Sequence, residues 1–218
     1  MQAVLLLAAG LVAAFLLGSV PWGLIISQGI YHRDLRSVGS GNVGTTNAIR
    51  ALGKVGGYMV FVLDFAKGIL SGLVGMLCAW CAANQGWAVP FDPVIWQQIC
   101  LAACVLCCCL GHVFSPWLHF KGGKGIACSA GCLGVAFGIV PLVVLVIIFA
   151  TVVFFSKYVS LGSVCCAVAA AIMTPVVYWG NPIAIACIFA TVAVIIWAHR
   201  ENIARLRSGT ERKIGQRV

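Results

Sequence analysis

Six long apolar runs dominate the chain. They cover residues 4–27 and stretches near 55–83, 94–118, 126–156, 160–179 and 182–198, with short polar segments between them. A helix crosses a bilayer with about 20 residues, so the pattern predicts an all-α, polytopic membrane protein. The first run has neither a basic leader nor an Ala-x-Ala-like cleavage site and reads as a retained span. The run at 126–156 is interrupted by Gly138 and Pro141. It predicts a short helix near 126–138 and a longer one near 139–156. The short piece would measure about 20 Å against a hydrocarbon core of roughly 30 Å, and so needs local thinning or burial in protein.

The positive charges set the sidedness. Arg33, Arg36, Arg50 and Lys54 belong to the first polar loop, Lys121 and Lys124 to a second, and Lys157 to a third. Arg200, Arg205, Arg207, Arg212, Lys213 and Arg217 form the tail, while the connections at 84–93 and 179–182 carry no cation. Basic loops stay in the cytoplasm. Keeping every basic loop on that side requires about seven transmembrane helices, with the N-terminus outside and the C-terminus cytoplasmic. A five-span alternative, in which 126–156 dips and returns, has the same sidedness. No clear inverted repeat is visible, which would have favoured a transporter.

Composition agrees. The chain is 62% hydrophobic and 9% charged over 218 residues, with a mean hydropathy of +1.06, which excludes an ordinary soluble domain. The length fits a single integral-membrane domain, 1–218. Its net charge of +9 is accounted for by inward loops beside anionic lipid, so a nucleic-acid partner is not implied. The cysteines, with Cys100, Cys104, Cys107, Cys108 and Cys109 in one segment, lie in apolar runs and read as small apolar fillers. Cys78-Ala-Trp-Cys81 and Cys104-Val-Leu-Cys107 lack the setting of a redox or zinc site. No metal or cofactor is expected.

The candidate chemistry lies in the predicted cytoplasmic segments 31–54, 111–126, 157–163 and the tail 199–218. In "SVGSGNVGTTNAIR" (37–50), Asn42, Thr45 and Asn47 supply hydrogen-bonding groups beside the membrane. Arg50 follows Asn47 at i+3 and offers a fork suited to phosphate. Lys121-Gly-Gly-Lys124-Gly125 is not a P-loop, because no Ser or Thr follows Lys124. It reads either as a phosphate cradle, in which Gly122, Gly123 and Gly125 expose amides at the start of a helix, or as a basic turn on anionic lipid. Asp64 and Lys67 share one helical face within the second span and are either an ion pair that locks packing or part of the site. Gly68 beside them permits close helix contact. Glu201 and Arg205 stand at i,i+4 in the tail, and Asn202 sits where the last span emerges. His199 is either an interfacial anchor or a member of the site.

Together these segments resemble the bacterial acyl-phosphate:glycerol-3-phosphate acyltransferases, an integral-membrane family that makes lysophosphatidic acid. The resemblance runs through Gly39-Ser40-Gly41-Asn42-Val43-Gly44-Thr45-Thr46-Asn47 to Arg50, and Asp64-x-x-Lys67-Gly68. It continues through Gly111-His112-x-Phe114-Ser115 into Gly122-Gly123-Lys124-Gly125, and His199-Arg200-Glu201-Asn202-Ile203-x-Arg205-Leu206 to Gly209 and Glu211. One departure is Cys128, where the family pattern leads us to expect threonine.

The resemblance implies a fatty acyl phosphate donor and an sn-glycerol 3-phosphate acceptor whose 1-hydroxyl attacks the acyl carbonyl. It also implies a place in the bacterial cytoplasmic (inner) membrane with the site facing the cytoplasm, membrane lipids as surroundings, and no particular oligomeric state. The implied core residues are Ser40, Arg50, Lys124, Ser160, His199 and Asn202, with Asn42, Thr45, Glu201 and Glu211 in support. To these the residues themselves add Gly41, Asn47, Gly122, Gly123 and Gly125. The His-x-x-x-x-Asp dyad of other glycerolipid acyltransferases is absent, since Ser37, Trp117, Lys124 and Ala204 stand five residues beyond the four histidines. We expect direct transfer without an acyl-enzyme. An anion transporter and a lipid-binding scaffold are the competing classes; the first wants polar groups at both faces, and the second leaves 37–50 without a role.

Overall fold

A computed structural model describes residues 1–216, so Arg217 and Val218, the end of the expected basic tail, lie outside the described residues. Nine helices make up the described chain, with no strand among them. They are α1 (Gln2–Ser19), α2 (Trp22–Gly29), α3 (Thr45–Asn84), α4 (Pro93–Val113) and α5 (Ile126–Phe137), followed by α6 (Ile139–Ser156), α7 (Val159–Val177), α8 (Pro182–Ala198) and α9 (Arg200–Arg207). The boundary of α5 falls one residue short of the expected 138, because Gly138 adopts φ 89°, ψ 176° and ends the helix.

Two breaks differ from the sequence pattern. The run 4–27 is not one helix. Pro21 has no amide proton, and α1 stops at Ser19 before α2 resumes at Trp22. Helix α3 starts at Thr45, ten residues before its apolar run, and bends at Gly53 (φ 81°, ψ −179°). The bend folds the first turns back until a Cβ on Gly57 would lie 2.1 Å from Cγ1 of Ile49. Only glycine fits at both points.

The helices run between two ends. At one end Tyr178 Oη donates to Ala136 O (3.3 Å), and Asn181 Nδ2 donates to Ile95 O (3.1 Å) and Gln98 Oε1 (3.0 Å). Ala3, Leu7, Ala82 and Trp96 cluster there too. The expected polar segments all lie at the other end. Five segments are long and apolar enough to cross a membrane, α1–α2 counting as one, and the α8–α9 pair, bent by 56°, makes a sixth. The 12-residue α5 is shorter, yet it reaches the far end at Ala136 and Phe137.

Close packing comes from small residues. A Cβ on Gly68 would stand 1.9 Å from Cys128 O, and one on Gly131 would stand 2.1 Å from Phe65 O, so α3 and α5 touch through backbone on both sides. The main core joins α4, α5, α7 and α8 through residues such as Val105, Cys109, Cys132, Tyr178 and Ile188. By contrast, α6 buries only Leu145. A helix that is apolar all round with so little packed on it is one that lipid must cover.

Candidate active site

The first loop is held by one side chain. Asn47 is buried, and its Nδ2 donates to Leu35 O (3.0 Å), Val38 O (3.0 Å) and Asn42 O (2.9 Å). Its Oδ1 accepts from the Ser40 amide at 3.0 Å. Asn47, expected to meet the ligand, is thus engaged in folding the loop. The Asn42 carboxamide accepts from the Gly44 amide at 2.9 Å, and the Gly41 amide donates to Val38 O at 3.0 Å. What remains for a ligand is the exposed Ser40 hydroxyl, Thr45 at the first turn of α3 with the unpartnered amides of that turn, and Arg50 one turn further on. Arg50 is half-buried and stands among Arg205, Glu211 and Arg212.

The second loop corrects the expected role of its glycines. The amides of Gly122 and Gly123 donate to Val113 O (3.0 Å) and His112 O (3.1 Å), so neither faces a phosphate. Both residues are glycine because α4 is so close: a Cβ would lie 2.0 Å from His112 O at Gly122 and 2.1 Å from His112 Nε2 at Gly123. Gly125, with φ 82°, turns the chain into α5, whose opening amides have no intrahelical acceptor. Among the described residues, Lys124 is the side chain of this loop that hydrogen-bonds to the tail.

There it meets a buried relay. Lys124 Nζ donates to Asn202 Oδ1, and Asn202 Nδ2 donates to Glu211 Oε1 at 2.7 Å. Ser160 Oγ donates to the same oxygen (2.8 Å), and Arg205 Nε to Glu211 Oε2 (2.7 Å). Glu211 returns to the bundle because the chain reverses after α9 at Gly209 (φ 70°) and is tied down by Ile214 N donating to Lys157 O at 2.8 Å. The i,i+4 pairing of Glu201 with Arg205 does not form. The reversal brings Glu211 to Arg205 first and leaves Glu201 exposed. Burial pushes the Lys124 ammonium down to about 8, with Arg205 adding to the push; Glu211 and Glu201 oppose it and Arg50 adds a smaller one. Burial alone would raise the Glu211 carboxyl, but the Asn202, Arg205 and Ser160 hydrogen bonds together hold it below its usual value. His199 is buried at the α8–α9 bend, where Nδ1 donates to Ile195 O at 2.8 Å and leaves Nε2 as its acceptor.

Two residues matter more than the sequence pattern suggested. Arg205 is the direct partner of Glu211, a pairing that only the chain reversal reveals. His112, within the quoted Gly111-His112 motif, contacts both Gly123 and the Asp64–Lys67 pair. Lys67 Nζ lies 2.8 Å from Asp64 Oδ1, 2.8 Å from Val20 O and 2.9 Å from His112 Nδ1. A cavity of about 10 Å³ beside Asp64 and His112 is also lined by Val43 and Leu118, so both loops rest on one base.

Comparison with known proteins gives the family. Residues 8–209 match the family described as glycerol-3-phosphate acyltransferase. The glycerol-3-phosphate acyltransferase of Rhodopseudomonas palustris (strain BisB5) is 40% identical over 96% of both chains. That of Thermus thermophilus is 38% identical over 95% of both. The crystal structure of PlsY (YgiH), an integral membrane glycerol 3-phosphate acyltransferase in its glycerol 3-phosphate form, superposes with a TM-score of 0.78 at 32% identity, covering 99% of this chain and 96% of that one. Its lysophosphatidic acid form superposes with a TM-score of 0.74 at 31% identity, over the same shares of the two chains. A polar relay at one end of an all-helical bundle, and relatives matched along nearly their whole length, lead to one conclusion: the chain belongs to the glycerol-3-phosphate acyltransferase family.

Proposed function

We propose that the protein transfers a fatty acyl group from acyl phosphate to the 1-hydroxyl of sn-glycerol 3-phosphate, giving lysophosphatidic acid and inorganic phosphate. The observation that carries the proposal is the Lys124–Asn202–Glu211 relay, which with Arg50 gathers cations from three separate segments at one end of the bundle. Two anionic reactants require such a collection. The relatives named above supply the acceptor; the acyl phosphate donor comes from the resemblance of the motifs.

In this reaction the acceptor oxygen forms a bond to the acyl carbon, and the bond from that carbon to the phosphate oxygen breaks. The electron pair leaves with phosphate, which also takes the hydroxyl proton. Acyl phosphate is already activated, so the protein has to orient and to stabilise charge. Lys124 and Arg50 neutralise phosphate oxygens, while Ser40 and the opening amides of α3 and α5 face the reacting groups. Direct transfer is favoured by the state of both serines. Ser40 has no base bonded to its hydroxyl among the described residues, and Ser160 bonds to a carboxylate held below its usual pKa. Neither is an activated nucleophile. The basic end faces the cytoplasm in this reading, at the inner membrane.

The test is turnover by purified protein in lipid. Palmitoyl phosphate and glycerol 3-phosphate should yield lysophosphatidate and phosphate, and Arg50→Ala and Lys124→Ala should each lose at least about 10²-fold in rate while remaining folded. A requirement for a thioester donor, or an acyl group trapped on the protein after denaturation, would overturn the proposal.

A further inference from the structure

We infer that His112, fixed from inside the bundle by Lys67 and Asp64, is a positioning residue that sets where the Lys124 loop stands. An ammonium has three protons and no acceptor. Those of Lys67 reach two hydrogen-bond partners, Val20 O and His112 Nδ1, while Asp64 Oδ1 lies 2.8 Å away as its ion-pair partner without hydrogen-bond geometry. His112 Nδ1 therefore accepts, its ring proton sits on Nε2, and the ring is neutral. Asp64 and Lys67 cancel, so the buried cluster carries no net charge. All three side chains are at most 8% exposed.

The other side of the ring is where the loop is registered. His112 O accepts from the Gly123 amide at 3.1 Å, and Nε2 fills the space where a Gly123 side chain would start. One residue thus holds Gly123 twice, by backbone and by ring edge, and Lys124 follows directly. An ion pair that only locked α3 into the bundle would need no third member against the loop. Displacing such a loop by about an ångström is enough to cost up to 10²-fold in rate. The kinetic readout rests on the reaction proposed above.

The experiment uses the full chain in lipid. His112→Asn keeps an acceptor for Lys67 but removes the ring edge; it should melt close to wild type and lose at least about tenfold in kcat/KM for glycerol 3-phosphate. Gly123→Ala should lose as much, because its methyl meets the ring. The double variant should regain part of the loss, since the methyl occupies the space the ring has left, and a purely structural role would not produce that rescue. Folded His112→Asn with wild-type kinetics, or additive losses in the double variant, would overturn the inference. If His112→Asn fails to fold, Gly123→Ala decides alone: a folded, impaired protein supports the inference and unaltered kinetics refutes it. An inactive wild type would instead count against the reaction. The loop is then read without turnover, by mass spectrometry of Lys124 after brief exposure to an amine-acylating reagent. Faster labelling in the single variants, reversed in the double, supports the inference; equal labelling in all refutes it.

Discussion

The ammonium of Lys124 meets the side-chain oxygen of Asn202 across 78 residues of sequence. That contact joins the turn before α5 to the helix after α8, and through Glu211 it extends to α7. The Lys124 ammonium is thereby held between a neutral carboxamide and, through it, an acidic group.

The titration of Lys124 should be visible in the kinetics. With its pKa pushed down to about 8 by burial and by Arg205, the empty site loses its cation as pH rises through that value. Then kcat/KM should fall by about tenfold per unit of pH above it. Bound phosphate favours the ammonium, so the same limb in kcat should sit at higher pH. Lys124→Arg should remove the limb, because a guanidinium stays charged throughout, at a cost in rate from its different shape. A limb that survives in Lys124→Arg belongs to another group.

Glu211→Gln should act in two ways. Glu211 raises the Lys124 pKa, so neutralising it should move the alkaline limb to lower pH. The carboxyl of Glu211 is held below its ordinary value of 4.5 by its donors despite burial. A lowered carboxylate stabilises the fold above the unfolded value and ceases to do so as pH falls through the folded one. The melting temperature of the wild type should therefore drop more steeply below pH 4.5 than that of the variant. Matching slopes in the two proteins would show that Glu211 does not couple to folding.

His199→Asn separates two destinations for the hydroxyl proton. Asparagine can replace the Nδ1 donor to Ile195 O and has no basic nitrogen. With phosphate as the proton acceptor, the variant should stay within about tenfold of wild type in kcat. A loss of about 10³-fold in a folded variant would assign the proton to His199 Nε2.

Much of this was legible because lipid imposes a hard rule on the chain. Runs of apolar residues and the break at Gly138 were enough to give the order of the main helices and the short α5. The family resemblance likewise named Arg50, Lys124, Ser160, Asn202 and Glu211, which the fold brings to one end. What stayed hidden depends on contacts between segments far apart in sequence. Nothing local distinguishes a glycine that opens toward a ligand from Gly122 and Gly123, which are glycine because His112 is behind them. Nothing local tells Arg205 to prefer Glu211 over Glu201 either, since the choice is made by the reversal at Gly209. The Pro21 break lies in an unbroken apolar run, and the Val20 carbonyl beside it also accepts from Lys67, 47 residues on.

The brevity of α5 has a consequence for reach. It ends beside α7 at the contact between Phe137 and Tyr178, but has 12 residues where α7 has 19, a difference of about 10 Å in length at 1.5 Å per residue. With their far ends level, the shortfall falls at the basic end, so Lys124 precedes a helix that begins below the level at which α7 begins. Under the function proposed above, a greasy donor with a charged head could present that head to the ammonium while its tail stays dissolved in hydrocarbon, with no need to be lifted into water.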